Sequence, residues 1–126
     1  MHRARKHLLT ASVLVAVLSG RLFAGPAVTA SSESEGNAAV NAYDRNRSSR
    51  WSSEFSDPQW LEMDFGEKKD LVGVLLFWEA AFGSSYEISC SEDGQTWKSV
   101  FRTAQRDGGT DESFFERTHA QFLRIS

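Results

Sequence analysis

Residues 59–79, QWLEMDFGEKKDLVGVLLFWE, carry two kinds of strand in one run. In the first half Leu61, Met63 and Phe65 alternate with Trp60, Glu62 and Asp64, the period of a strand with one apolar and one polar face. The second half, Leu71–Glu79, is nearly all apolar, as in a strand buried on both faces. Outward from this run come AVTASS (residues 27–32), β-prone and short, YEISCS (86–91), where Tyr86, Ile88 and Cys90 alternate with Glu87 and Ser89, and the further strand segments DESFFE (111–116) and QFLRIS (121–126). In EDGQTWKSVF (92–101), Asp93-Gly94 supplies the positive φ that a tight hairpin needs. Turn signals return about every ten residues, and no helical period or internal repeat competes. The chain reads as all-β, an antiparallel β-sandwich.

The N-terminus is different in kind. In MHRARKHLLTASVLVAVLSG, Arg3, Arg5 and Lys6 precede an apolar run from Leu8 to Leu18 that is short for a membrane span, which reads as a secretory leader, with a membrane anchor as the other reading. Cleavage is expected between residues 20 and 30, after Gly20, Ala24 or Ala30. The division is therefore a leader over 1–24 and one domain over 25–126, in an extracellular or secreted protein, with the periplasm and the cell surface also open. Loss of Arg3, Arg5, Lys6 and Arg21 leaves ten basic against seventeen acidic residues, a net charge near −7. Nucleic acid and anionic membrane both call for a basic face, so neither is expected as a partner.

Side-chain chemistry narrows the options further. Cys90 is the single cysteine and alternates with Tyr86 and Ile88, which makes it a buried apolar side chain. The three histidines are scattered, two of them in the leader, so no transition-metal cluster forms. There is no nucleophile motif and no phosphate loop. A carboxylate pair such as Glu54 and Glu79 is too common a pattern to indicate glycoside hydrolysis, and the chain does not read as an enzyme. Trp51, Trp60, Trp78 and Trp97 fall in or beside strands and are expected in the core, where large rings stabilise a small sandwich. Phe55 and Phe82 are the aromatics that loop position makes available to stack on a sugar.

Several segments, in one order, carry a family likeness: AVTASSESEG, NAYDRNRSSRW, SSEFSDPQWLEMDFGEKK, GVLLFWEAAFGSSYEISCSEDGQTWKSVF, DGGTDE and FLRIS. They resemble the coagulation factor V/VIII type C, or discoidin, domain, and above all the family 32 carbohydrate-binding modules of glucan- and chitosan-directed enzymes. The resemblance implies a galactose-binding-like jelly-roll sandwich whose end loops hold a polysaccharide or other glycan without catalysis, tethering to a β-linked polysaccharide such as β-glucan or chitosan. An extracellular adhesion domain for a protein or cell surface is the alternative, as is a truncated fragment that binds nothing. The acidic loops SESEG and SEFSD argue against a lipid-binding version.

The likeness also implies residues. Glu35, Arg50, Glu54 and Glu79 fall at the glycan contacts of the chitosan-type modules, where carboxylates would accept charge-assisted bonds from an aminosugar. Each has a plainer reading: Glu35 and Glu54 as solvated loop charges, Arg50 as a brace for the Asp44 loop, Glu79 as its ion-pair partner. Asn41, Asp44, Asn46 and Ser49 fall at the structural calcium loop, an oxygen-only set suited to a hard cation; an Asx-rich turn without metal is the other reading. Arg45 stands where the family has glycine, and the family's C-terminal glutamate has no counterpart before Ser126. The family's final strand likewise has no counterpart, so the sandwich is expected to be one strand short unless a partner chain supplies it.

Overall fold

The structure is a computed structural model that describes residues 10–17, 26–43, 49–54, 58–78, 85–104 and 108–126. The described residues form strands β1 (Thr10–Val17), β2 (Ala27–Ala30), β3 (Trp51–Ser52), β4 (Leu61–Trp78), β5 (Tyr86–Ser91), β6 (Lys98–Thr103) and β7 (Thr110–Ile125). A short 3-10 turn, Ala39–Tyr43, precedes β3 and buries Ala39 and Ala42. Every pairing is antiparallel, in the order β3-β1-β4-β7-β5-β6, with β2 on β4.

β4 and β7 form the spine. They pair from Leu61↔Ile125 to Phe77↔Thr110, with register shifts between Asp64 and Lys69 and between Leu71 and Gly73. Bulges of this kind bend a strand and raise its twist, and they divide each long strand into two arms. Gly66 sits in the larger irregularity at φ 75°, a conformation that side chains disfavour, and its N–H is held by the Asp64 carboxylate at 2.8 Å. One arm, Leu61–Asp64, lies between β2 and the end of β7, which continues into β5 and β6. The other, Leu71–Trp78, lies between the start of β7 and β1, with β3 beyond. The stretches DESFFE and QFLRIS, separate in the sequence reading, are thus the two arms of a single strand.

The arms close over each other as a sandwich. Leu61, Met63 and Phe65 of one arm and Leu71, Val74 and Leu76 of the other share a core with Ile88, Cys90, Leu123 and Ile125. The first half of β4 alternates buried and half-buried as its sequence requires. The second half buries one face fully and leaves Val72, Leu75 and Phe77 half-buried, because only one face meets the opposite layer. Polar groups also cross between the layers. Asp111, 2% exposed, accepts bonds from Trp78 Nε1 at 2.9 Å and from the Tyr86 hydroxyl at 3.0 Å. Ser113 Oγ lies 3.0 Å from the same Tyr86 oxygen. Tyr86 belongs to β5 and Asp111 to the opposite arm of β7, so this network fixes how the layers face one another.

The β5–β6 connection keeps the positive φ expected at Gly94 but is a six-residue loop, residues 92–97, rather than a tight hairpin turn. Gly94 takes φ 79°, and the Asp93 carboxylate accepts the N–H groups of Gln95 and Thr96 at 2.8 and 2.9 Å. The Thr96 and Gln95 amides and the Ser91 hydroxyl hold the Asp93 carboxyl below its ordinary value of 3.8. Cys90 is buried, and that burial pushes its thiol up to about 12, Lys98 offsetting part of the effect.

Two measurements check this packing. Tyr86→Phe removes one donor from a buried carboxylate, so urea unfolding should show a loss of about 1.5–3 kcal/mol, the range for hydrogen bonds to charged groups. A loss below about 0.5 kcal/mol would mean the network does not hold the layers. Cys90 should resist iodoacetamide at pH 8 in the native chain and react fully in denaturant, because only the thiolate is the nucleophile.

Candidate functional site

One end of the sandwich is built by register. Trp51 of β3 pairs with Ala11 of β1, and Ala11 pairs with Trp78, so the three lie in a row across the sheet. Arg50 and Glu54, on either side of β3, therefore sit level with the end of β4. The turn Ser34–Asn37 joins them. Its Ser34 N–H donates to the Ser52 carbonyl at 2.7 Å, and Asn37 O accepts from the Ser52 N–H at 3.1 Å. Glu35 and Gly36, the latter at φ 77°, form the tip of that turn.

Beneath these loops lies a floor of short polar contacts. The hydroxyls of Ser31 and Ser32 both donate to Gln59 Oε1 at 2.6 Å. Ser32 Oγ accepts the Glu54 N–H at 2.9 Å, and the Ser32 carbonyl accepts from Trp51 Nε1, also at 2.9 Å. The Glu33 carboxylate accepts the N–H of Ala39 at the start of the 3-10 turn. A residue from each loop thus reaches the same few atoms, which fixes the loop backbones while the tips stay in solvent.

Glu35, Arg50 and Glu54 are all exposed, and their side chains make no ion pair or hydrogen bond with another described residue. The structure brings these three to one end. Glu79 follows Trp78 directly in the sequence but lies outside the described residues, as do Phe55 and Phe82. In the expected cation loop, Asn41 falls in the 3-10 turn with its N–H on the Ala38 carbonyl at 3.0 Å, and Ser49 is half-buried on the far side. Asp44 and Asn46 lie outside the described residues, and among those described no three His, Cys, Asp or Glu side chains converge.

The tryptophans divide. Trp51, 2% exposed, is core, and Trp78 is half-buried against the core with its N–H on Asp111. Trp60 and Trp97 depart from the core expectation: they flank the Arg124 guanidinium, 5.2 and 4.3 Å from its carbon to the ring centroids. Glu62 accepts from Arg124 Nε at 2.9 Å and from an Nη at 2.6 Å. An arginine stacked between two rings keeps its charge solvated along the rim, so both indoles stay partly exposed. The signal for this cluster was in the alternation: Arg124 takes an outward place in QFLRIS, as Glu62 does in QWLEMDFG. At the opposite end, near the Lys68–Glu92 ion pair of 3.7 Å, the cleft bordered by Asp93, Trp97, Lys98 and Arg117 has a volume of about 420 Å³. Among the described residues, none of those expected to meet glycan (Glu35, Arg50, Glu54) borders it.

The chain is similar to several known proteins. Chitosan-binding module 1 of a chitosanase/glucanase from Paenibacillus sp. IK-5 is 37% identical, covers 80% of each chain and superposes with a TM-score of 0.76. Module 2 of the same enzyme, solved in complex with chitotriose, is 32% identical over 80% of this chain and 82% of its own, with a TM-score of 0.77. The polysaccharide lyase 8 family protein HylA of Enterococcus faecalis (strain ATCC 700802 / V583) is 38% identical over 68 residues, which are 54% of this chain and 5% of HylA. The chain thus spans about one twentieth of that curated relative. Residues 27–126 match the family described as the F5/8 type C domain, and the chain belongs to that family.

Proposed function

We propose that this domain is a non-catalytic carbohydrate-binding module of an extracellular protein, and that it takes a β-linked polysaccharide with free amino groups, such as chitosan. The observation that carries this reading is that Glu35, Arg50 and Glu54 are exposed on backbone segments tied to one another at one end of the sandwich. Glu79 is assigned to the same site from its place after Trp78. The likeness to modules named for chitosan binding supports the ligand class.

The chemistry follows from the residue types. Carboxylates at Glu35, Glu54 and Glu79 accept charge-assisted bonds from sugar ammonium groups, which are stronger than neutral pairs. Arg50 donates to hydroxyl and ring oxygens. A shallow, solvated set of contacts of this kind binds weakly as a single domain, so its effect comes from tethering a larger assembly to the polymer. The chain's secretion rests on the leader pattern of residues 1–24.

Glu35→Ala and Glu54→Ala should each weaken binding of chitosan oligosaccharides about tenfold or more in isothermal titration, the loss of a hydrogen bond to a charged group. Raised salt should weaken binding in the same direction. Fully N-acetylated oligomers that bind as tightly as chitosan would overturn the role of the carboxylates.

A structural calcium ion belongs to the same reading. Asn41, Asp44, Asn46 and Ser49 offer only oxygen donors, which fits a hard cation, and the ion would link the 3-10 turn to β3. Chelation should then lower the unfolding midpoint, and added calcium should restore it. A midpoint indifferent to both would remove calcium from the account.

A further inference from the structure

The cleft at the far end of the sandwich has a buried floor and two charged rims. Cys90, Ser91 and Ala120 form the floor, each at most 3% exposed. One rim runs from Glu92 to Lys98, and the other is Arg117–His119 of β7. Lys98 is the ladder partner of Cys90, so the two side chains leave the sheet on the same face. The Lys98 ammonium accordingly holds the Cys90 thiol lower than burial alone would. Trp97 supplies an aromatic wall. Arg124 lies 4.3 Å from its ring centroid and Phe122 meets it edge-on at 6.4 Å, which fixes the indole beside the cleft that it borders.

The charges around this cleft do not cancel. Glu92 pairs with Lys68 at 3.7 Å, Asp70 with His119 at 3.0 Å, and Glu67 with the buried Lys69 at 2.6 Å. Asp93 directs its carboxylate to the Gln95 and Thr96 amides and the Ser91 hydroxyl, which hold its carboxyl below the ordinary value. Lys98 and Arg117 are exposed, and neither makes an ion pair or hydrogen bond through its side chain with another described residue. The acids of both rims are thus engaged, while one cation on each rim is not. We propose that the cleft is a second ligand site, which takes a sugar acid with its carboxylate between Lys98 and Arg117 and its ring against Trp97. A guanidinium and an ammonium both favour a carboxylate, the first by paired N–H donors. The volume of about 420 Å³ is that of a small-molecule pocket and exceeds what a bare anion fills. This inference does not rest on the chitosan reading, whose residues lie at the other end.

The test follows backbone amides of the isotope-labelled full chain by NMR as glucuronate is added, with glucose and acetate as comparison ligands. Glucuronate should shift amides within residues 90–98 and 117–120 along one saturating curve. Glucose, which lacks the carboxylate, should leave them in place, and acetate, which lacks the ring, should bind several-fold more weakly. Lys98→Ala and Arg117→Ala should each weaken glucuronate about tenfold, the loss of a bond between charged groups. Raised salt should weaken it too. Should either alanine variant unfold early in urea, Lys98→Gln and Arg117→Gln take its place with the same expectation. The proposal fails if no amide in these segments moves by about 50 mM glucuronate, if glucose moves them equally, or if the variants bind as the native chain does. Equal binding of acetate would leave a simple anion site and overturn the sugar acid. Shifts confined to residues 31–37 and 50–54 would overturn the cleft. A chain that shows the glucuronate curve but binds no chitosan would sink the earlier proposal alone.

Discussion

The pairing of β4 with β7 is the constraint on which everything else rests. A sheet of this size cannot cover its own apolar face unless it bends or meets a second layer. Here the same two long strands serve both layers, through irregularities near Gly66 and Gly73 rather than through separate loops. The consequence is geometric. Trp78, in register through Ala11 with Trp51, and Trp60, whose carbonyl accepts the Ser31 N–H, thus lie towards one end of the molecule. The candidate site owes its position to that bend.

Polar groups between the layers do work that apolar packing cannot. Met63, Leu123 and Ile88 would tolerate some sliding of one arm over the other, because burial is not directional. Asp111 with Trp78 and Tyr86 is directional, and no buried polar side-chain atom among the described residues lacks a partner. Such a network penalises misplacement, since a shifted layer would strand a buried carboxylate without its donors.

Much of this was legible in the sequence, and the limits are physical. Alternation revealed the arm around Leu61 and the strand at Tyr86–Cys90, and Asp93-Gly94 revealed the turn after it, because all depend on near neighbours. Glu35, Arg50 and Glu54 are candidates by family likeness, not by pattern, since exposed charges have no period. The long-range facts were hidden. Nothing local joins 111–116 to 121–126 as one strand, because a bulge looks like a turn in sequence. Trp60 and Trp97 read as core because a large ring in a strand usually is; their arginine partner lies far away in the chain. The strand Thr10–Val17 was read as a leader because an apolar run with basic residues before it satisfies both descriptions.

Ser32 sits where several parts of the molecule meet: its carbonyl holds the Trp51 indole, and its hydroxyl ties the Glu54 amide to the Gln59 side chain. Loops joined in this way do not diversify one at a time. A change in the length of one displaces atoms that its neighbours use, so viable variation is confined to the tips or must alter several segments together. For the proposed site, a change of ligand by transplanting loops would have to move Ser31–Asn37 and Trp51–Glu54 together, with the serine that links them.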